Sequence, residues 1–335
     1  MRLAEKVALG YAYGSSLLSY LVDGAPRPFS ATWAVTNRCN LRCTYCNCPF
    51  IDPMHLDLPR VATMFDRLQT IGVRRLGLAG GEPMMRKDIG EIVAMAKDRG
   101  FWVSINSNLT LYDRHPERLA GADLVYTSLD GDEAAHVAAR GEGSYDGVLQ
   151  SVAALVAAGM PVIAICVVTE HSLHQADAIL RRAEAMGFRV HFQPQCTDTD
   201  IVRGSVSSAV ANEEFRQFWR DLLTEKQRGR PIVSSTAFLE FLAQWDDFAV
   251  SAVHEPDGRC AAGHGFFYID PLGRAYPCAY TKGKTTPVDL LAADWRTAWD
   301  RETPCNRCIV GPMLEFNLLF QRPFTAAIES ARTYA

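Results

Sequence analysis

The chain has 335 residues, 48% apolar and 21% charged, enough for one large α/β domain with an appendage. That composition excludes a mostly disordered, collagen-like or fibrous chain. Basic and acidic residues number 34 and 38, a net charge of −4, so the whole-molecule basic field of a nucleic-acid binder is absent.

Residues 1–24 mix apolar residues with Glu5, Lys6, glycines and serines. No apolar run reaches the ~20 residues of a bilayer span, and no basic region precedes a clean apolar core as in an export signal. Leu3, Val7, Leu17, Leu18 and Leu21 suit one helix face, packed on its own domain or resting on a lipid surface. Residues 32–36 form an apolar, β-branched run. Strands are then predicted over 75–79, 101–106, 124–128, 162–169 and 189–194. Helices are predicted over 58–71 (Val61, Met64, Phe65, Leu68, Ile71), 89–97, 116–120, 145–158 and 172–186, the last with Ser172 as N-cap. Six strands alternating with helices imply a parallel sheet covered by helices, open or curled into a barrel. Functional residues belong just past the strand C-termini. Residues 198–208 read as a polar linker, and 212–228 as a helix capped by Asn212. From about 254 onward, cysteines are spaced by Gly, Pro and short apolar runs, a region with little core of its own that needs a cofactor to hold it.

The ten cysteines are clustered. Cys39, Cys43 and Cys46 stand together with Cys48 beside them. Cys260 and Cys278 flank a predicted hairpin turning at 270–273, and Cys305 and Cys308 form a C-x2-C pair. Only Cys166 and Cys196 stand alone. A long chain without an export signal points to a reducing, cytoplasmic setting, where clustered thiols mean metal or iron–sulfur ligation rather than disulfides. C-x3-C-x2-C places three thiolates on one compact loop. They can hold three irons of a cubane cluster and leave the fourth open; a closed zinc knuckle would need Cys48 or His55 as fourth ligand. The later four thiols suffice for one complete site, iron–sulfur or a zinc ribbon.

The segment from Thr36 to Cys46, with Tyr45 before its last cysteine, resembles the signature of the radical S-adenosylmethionine (SAM) superfamily. Gly80-Gly81-Glu82-Pro83 resembles the family's GGEP motif. Ser104 and Asn106 match positions after the third strand, where N-S-N stands in place of the usual T-N-G. Ser128-Leu-Asp130-Gly131, His136 and Arg140-Gly141 follow in the family's order. The resemblance implies a partial (β/α)6 TIM-like barrel and a [4Fe-4S] cluster on Cys39, Cys43 and Cys46. The open iron of that cluster binds SAM and cleaves it to a 5′-deoxyadenosyl radical that abstracts a substrate hydrogen. It further implies that Gly80 and Gly81 let backbone approach the ligand, beside Tyr45 and Pro83, and that Glu82 accepts from the methionine amino group. Ser104 and Asn106 touch ligand or substrate, Ser128 and Asp130 reach the ribose, Arg140 pairs the methionine carboxylate, and Val167 and Val168 lie against the adenine.

The second cysteine set resembles the SPASM or twitch extensions of that superfamily, which hold auxiliary [4Fe-4S] clusters. No cysteine follows Cys308, so one auxiliary cluster is expected, on Cys260, Cys278, Cys305 and Cys308, carrying an electron or bracing the fold. The domains expected are a helical extension over 1–30, the core over 31–197, a helical linker region over 198–253 and the auxiliary-cluster domain over 254–335. Cys196 is the one candidate for a catalytic thiol, Cys48 and Cys166 read as buried spares, and His55, Gln193 and Gln195 are placed to face substrate. Only about 30 residues precede the first strand, against the leader-binding domain of peptide-modifying relatives. The expected substrate is therefore a small metabolite (sugar, nucleoside, aminocyclitol or natural-product intermediate) or a lipid, undergoing oxidation, epimerisation or bond formation. A peptide maturase is the alternative, and a non-catalytic iron–sulfur or zinc scaffold the alternative of another class. A flavodoxin- or ferredoxin-type electron donor is implied, with no nucleic acid and only peripheral membrane contact.

Overall fold

The computed structural model describes residues 3–51, 54–196, 212–297 and 303–321. Helix α1 (Leu3–Asp23) leads into β1 (Ser30–Thr36). The repeat then runs α2 (Leu58–Thr70), β2 (Arg75–Gly80), α3 (Ile89–Asp98), β3 (Trp102–Asn106), β4 (Leu124–Ser128), α4 (Glu133–Arg140), α5 (Ser144–Ala157), β5 (Val162–Val168), α6 (Ala176–Met186) and β6 (Arg189–Pro194). Strands β1 to β6 lie side by side in chain order, all parallel. This is the partial TIM-like barrel expected from six β/α units.

Period-2 alternation decides which residues face which way. Ala31, Trp33 and Val35 of β1, Leu76 and Leu78 of β2, Val103 and Ile105 of β3, and Val190 and Phe192 of β6 belong to one buried cluster with the helices. Helix α2 contributes Val61, Met64, Phe65 and Leu68, an i, i+3, i+4, i+7 stripe behind a cap in which the Asp57 side chain accepts from the Arg60 amide. The opposite, inner face is left to Thr32, Gly77, Ser104, Asn106, Tyr126, Ser128 and Gln193.

Beyond the barrel come α7 (Asn212–Gln227), α8 (Thr236–Leu242), β7 (Ala252–Val253), β8 (Phe266–Ile269), β9 (Arg274–Tyr276), β10 (Val288–Asp289), β11 (Arg307–Cys308) and α9 (Gly311–Gln321). The predicted hairpin is β8–β9, and it does not stand apart. β8 pairs parallel with β1, Thr32 opposite Tyr268, so the cysteine-rich region extends the barrel sheet to nine strands in the order β10-β9-β8-β1-β2-β3-β4-β5-β6.

Four local expectations need correction. Ser172 does not cap a helix; its Oγ accepts from the Thr169 amide and donates to the Val167 carbonyl, tightening the turn after β5, and α6 starts at Ala176. The Asn212 side chain is likewise taken up elsewhere, accepting from the Phe248 amide at 2.9 Å. Helix α4, capped by Asp132, was not anticipated in an eight-residue stretch. On α1 the expected stripe is split: Val7, Leu18 and Leu21 are 62–64% exposed, while Leu17 packs against the cluster around Phe29 and Phe320 and Ala12 and Ser16 are buried. Ser16 Oγ donates to the Arg27 carbonyl, and Tyr13 and Tyr20 pack on Phe320 of α9. The expected linker over 198–208 lies outside the described residues. Among the described residues no helix is long and apolar enough to cross a membrane.

Candidate active site and metal centres

The three front cysteines lie on the loop after β1, at the C-terminal edge of the sheet. The end of β2 fastens this loop, with the Gly81 amide donating to Thr36 O at 2.8 Å and the Glu82 amide to Arg38 O at 2.7 Å. A Cβ at Gly80 would stand 2.3 Å from Thr36 O and one at Gly81 2.3 Å from Arg38 O, and Gly80 has φ +123°. The two glycines therefore admit the close approach of the cysteine loop's own backbone. From the other side the Thr44 amide donates to Ala139 O of α4 at 2.9 Å.

The acidic side chains expected to touch SAM are turned into the protein. Glu82 is fully buried. Its Oε1 accepts from the Met84 amide and Ser107 Oγ, and its Oε2 accepts from the Asn108 amide. Burial outweighs these donors and pushes the Glu82 carboxyl up to about 6. Glu82 thus ties the turn after β2 to the turn after β3, while Pro83 is buried just behind it. Asp130 is also buried. One oxygen accepts from Tyr45 Oη at 2.7 Å and Arg140 Nε at 2.6 Å, the other from the Val167 amide at 3.0 Å. The Asp130 amide donates to His136 Nδ1.

Arg140 is consequently paired within the chain. Its guanidinium packs over the Tyr45 ring and points Nη1 at Cys43 Sγ, 3.9 Å away. The cation at the front loop is held by Asp130 through Nε and directs Nη1 at a sulfur.

Burial raises the Cys39 thiol to about 11 and raises Cys43 as well, where Arg140 partly offsets it. The thiol of Cys48 donates to Cys46 and brings it down to about 6. Cys48 is therefore a hydrogen-bonding neighbour of a front cysteine, also 3.9 Å from Gly80 O, and not an idle spare. His55 is exposed. Among the described residues no three Cys, His, Asp or Glu side chains converge on a single-ion spacing. The donor set fits a thiolate-bound group: three sulfurs on one loop, an amide side chain at Cys39 (Asn108 Nδ2, 4.0 Å) and a buried cation at Cys43.

The remaining predicted residues divide by face. Ser104 (buried), Asn106 (exposed) and Ser128 (half-buried) share the inner face. Ser104 is within reach of Thr32 across Gly77, where a Cβ would meet Thr32 Oγ1 at 3.3 Å. Val168 faces the other way, fully buried in the core beneath the sheet; Val167 is the inner-face residue. Gln193 lies under the start of α9, where a Cβ on Gly311 would be 2.7 Å from its Oε1. Gln195 is buried. Burial pushes the Cys196 thiol up to about 12, although the Gly311 amide donates to its sulfur. It is a protonated thiol at neutral pH and not a nucleophilic thiolate. Cys166 is core, as expected.

The second cysteine set gathers although its members come from three separate segments, around Cys260, around Cys278 and over Cys305–Cys308. Cys278, Cys305 and Cys308 are buried in one cluster, with Cys260 packed against it. Burial first, then mutual repulsion, raises Cys278 to about 12 and Cys305 to about 11, and raises Cys308. Such crowding of thiols suits metal ions that displace their protons. Backbone amides of Ala262, Thr281 and Tyr280, and Val310 donate to Cys260, Cys278 and Cys308 respectively. Sequence reasoning missed Ser107, Asn108 and Asn317. The altered N-S-N stretch was the only available signal for the first two, and Asn317 had none.

Residues 33–183 match the radical SAM superfamily. The AdoMet-dependent heme synthase of Nitratidesulfovibrio vulgaris is 26% identical over 283 residues, 78% of this chain and 76% of that protein. Mycofactocin maturase MftC of Mycobacterium tuberculosis is 27% identical over 274 residues, 79% and 68% of the two chains. In fold, SuiB of Streptococcus suis, solved bound to S-adenosylmethionine, superposes with a TM-score of 0.67 at 15% identity, covering 86% of this chain and 70% of that one. The matched span contains the entire front site from the cysteine loop to Arg140, and over residues 33–183 the chain carries a radical SAM domain.

Proposed function

We propose that Cys39, Cys43 and Cys46 hold a [4Fe-4S] cluster with one open corner for SAM, and that the inner face of the sheet presents a substrate to it. Bound there, cluster and SAM supply reductive cleavage to a 5′-deoxyadenosyl radical and so hydrogen-atom abstraction. The observation that carries this reading is the meeting of three thiols from one loop with the buried Arg140 guanidinium at the C-terminal edge of a parallel sheet. In it Arg140 steadies thiolate charge at Cys43, Asp130 fixes Arg140, and Tyr45 closes the triad. The backbone of residues 80–83, braced by Glu82, forms the wall beside the loop, with Ser104, Asn106 and Ser128 toward ligand and substrate.

Residues 31–197 serve as the catalytic barrel and 254–335 as an auxiliary region in which Cys260, Cys278, Cys305 and Cys308 hold one further [4Fe-4S] cluster. The inner face is polar and uncharged at Thr32, Ser104, Asn106 and Ser128. Arg75 is held aside between Trp102 and Phe316, 5.1 Å from each ring. That lining favours a hydroxyl-bearing small molecule. A peptide substrate is the second reading, favoured by likeness to a maturase over 79% of the chain. A cytoplasmic flavodoxin- or ferredoxin-type donor supplies the electron.

Anaerobically purified protein is expected to carry about eight irons and to cleave SAM only with dithionite. The Cys39→Ala variant should lose cleavage. Cys260→Ala with Cys278→Ala should keep cleavage and lose turnover of substrate. Zinc in place of iron, with no cleavage, would overturn the reading in favour of a scaffold.

A further inference from the structure

Helix α9 follows directly on Cys308 and turns Asn317 toward the second thiol set. Asn317 is 5% exposed. Its Oδ1 accepts from the Ala261 amide at 2.7 Å, and its Nδ2 stands 3.4 Å from Cys260 Sγ. The two contacts fix each other. An N–H can be satisfied only by the amide oxygen, so the Ala261 donor decides which way the carboxamide faces. The amino group is then obliged to point at sulfur.

The rest of α9 is clamped as well. Phe316 stacks on Phe266 with ring centroids 5.0 Å apart, and Glu315 accepts from the Ser235 amide. The carboxamide therefore has little freedom to turn away. Cys260 thus receives a side-chain N–H in addition to the Ala262 amide. Hydrogen bonds to the sulfurs of an iron–sulfur centre stabilise its more negative, reduced state and raise its potential.

We propose that Asn317 is a positioning residue for the second metal centre, its locked amide orienting Cys260 and holding that centre's reduction potential up. This rests on the reading that the four thiols bind an iron–sulfur cluster.

The two claims separate in one experiment. In full-length protein with Cys39, Cys43 and Cys46 changed to Ala, about four irons should remain; zinc or no metal there would sink the cluster reading itself. On that background Asn317→Asp keeps the acceptor for Ala261 and removes the donor, and Asn317→Leu removes both. With iron retained, the midpoint read by EPR titration should fall in both, further in the Asp variant because of its charge. An unchanged midpoint with full iron overturns the role of Asn317 and leaves the cluster reading standing. Should both variants lose iron, protein labelled with 15N in its asparagine side-chain amides is read by pulsed EPR. A resolved coupling to the cluster supports the proposal and its absence overturns it.

Discussion

Asp130 shows how one side chain can carry several loads. Its carboxylate balances Arg140, accepts from Tyr45 and receives the Val167 amide, so removing its charge is far worse than removing a neighbour's hydroxyl. Asp130→Asn leaves a buried guanidinium without its counter-charge, an expected loss of about 3–5 kcal/mol. Tyr45→Phe removes one hydrogen bond from an acceptor that keeps two others, an expected loss of about 1 kcal/mol. Urea unfolding of the iron-free proteins checks the order. Equal losses would mean that the ion pair contributes little. The sequence made both residues recognisable, but it could not assign their partners, because Tyr45 and Asp130 lie 85 positions apart and only the packing of α4 against the cysteine loop brings them together.

Between elements, the closest contact at the front site is backbone on backbone. Gly81→Ala would drive a Cβ against Arg38 O and Asn37 O, neither of which can rotate away as a side chain would. The cysteine loop must then shift. Expected is loss of roughly half the iron, the four of the front cluster, with the second site still loaded; iron analysis with EPR distinguishes the two. Full loading of both sites would show that the loop gives way easily. The strand order and the motif positions were legible in the sequence because period-2 and period-3.6 patterns are local. So was the helix start at Asn212, although its side chain goes to a distant amide rather than to a cap. The helix start at Ala176 was not, since Ser172 spends its side chain on the turn after β5. Nor was the annexing of β8 to β1, since four residues of apolar strand carry no mark of their partner.

Across the whole molecule, two histidines are folded in their neutral form. Burial brings His191 down to about 4, its Nδ1 meeting Ser234 Oγ at 3.0 Å. Burial, with Arg140 nearby, brings His136 down to about 4. An unfolded histidine titrates near 6.5, so the unfolded chain takes up protons first. The stability these groups contribute is present above pH 6.5 and is lost as pH falls from there through about 4, on the order of 3 kcal/mol for each. Glu82 works the other way. Its carboxyl is raised to about 6, so acidification from 6 toward 4.5 relieves a buried charge by about 2 kcal/mol. Two histidines outweigh one glutamate, and iron-free protein should lose net stability between pH 6.5 and 4. His191→Asn should lie below the parent at pH 7.5 for lost packing on Phe238, yet show a shallower fall with acid, because one of the two proton uptakes is gone. Denaturant midpoints at pH 7.5, 6, 5 and 4.5 measure both slopes, and parallel slopes would show that His191 does not titrate between the folded and unfolded states.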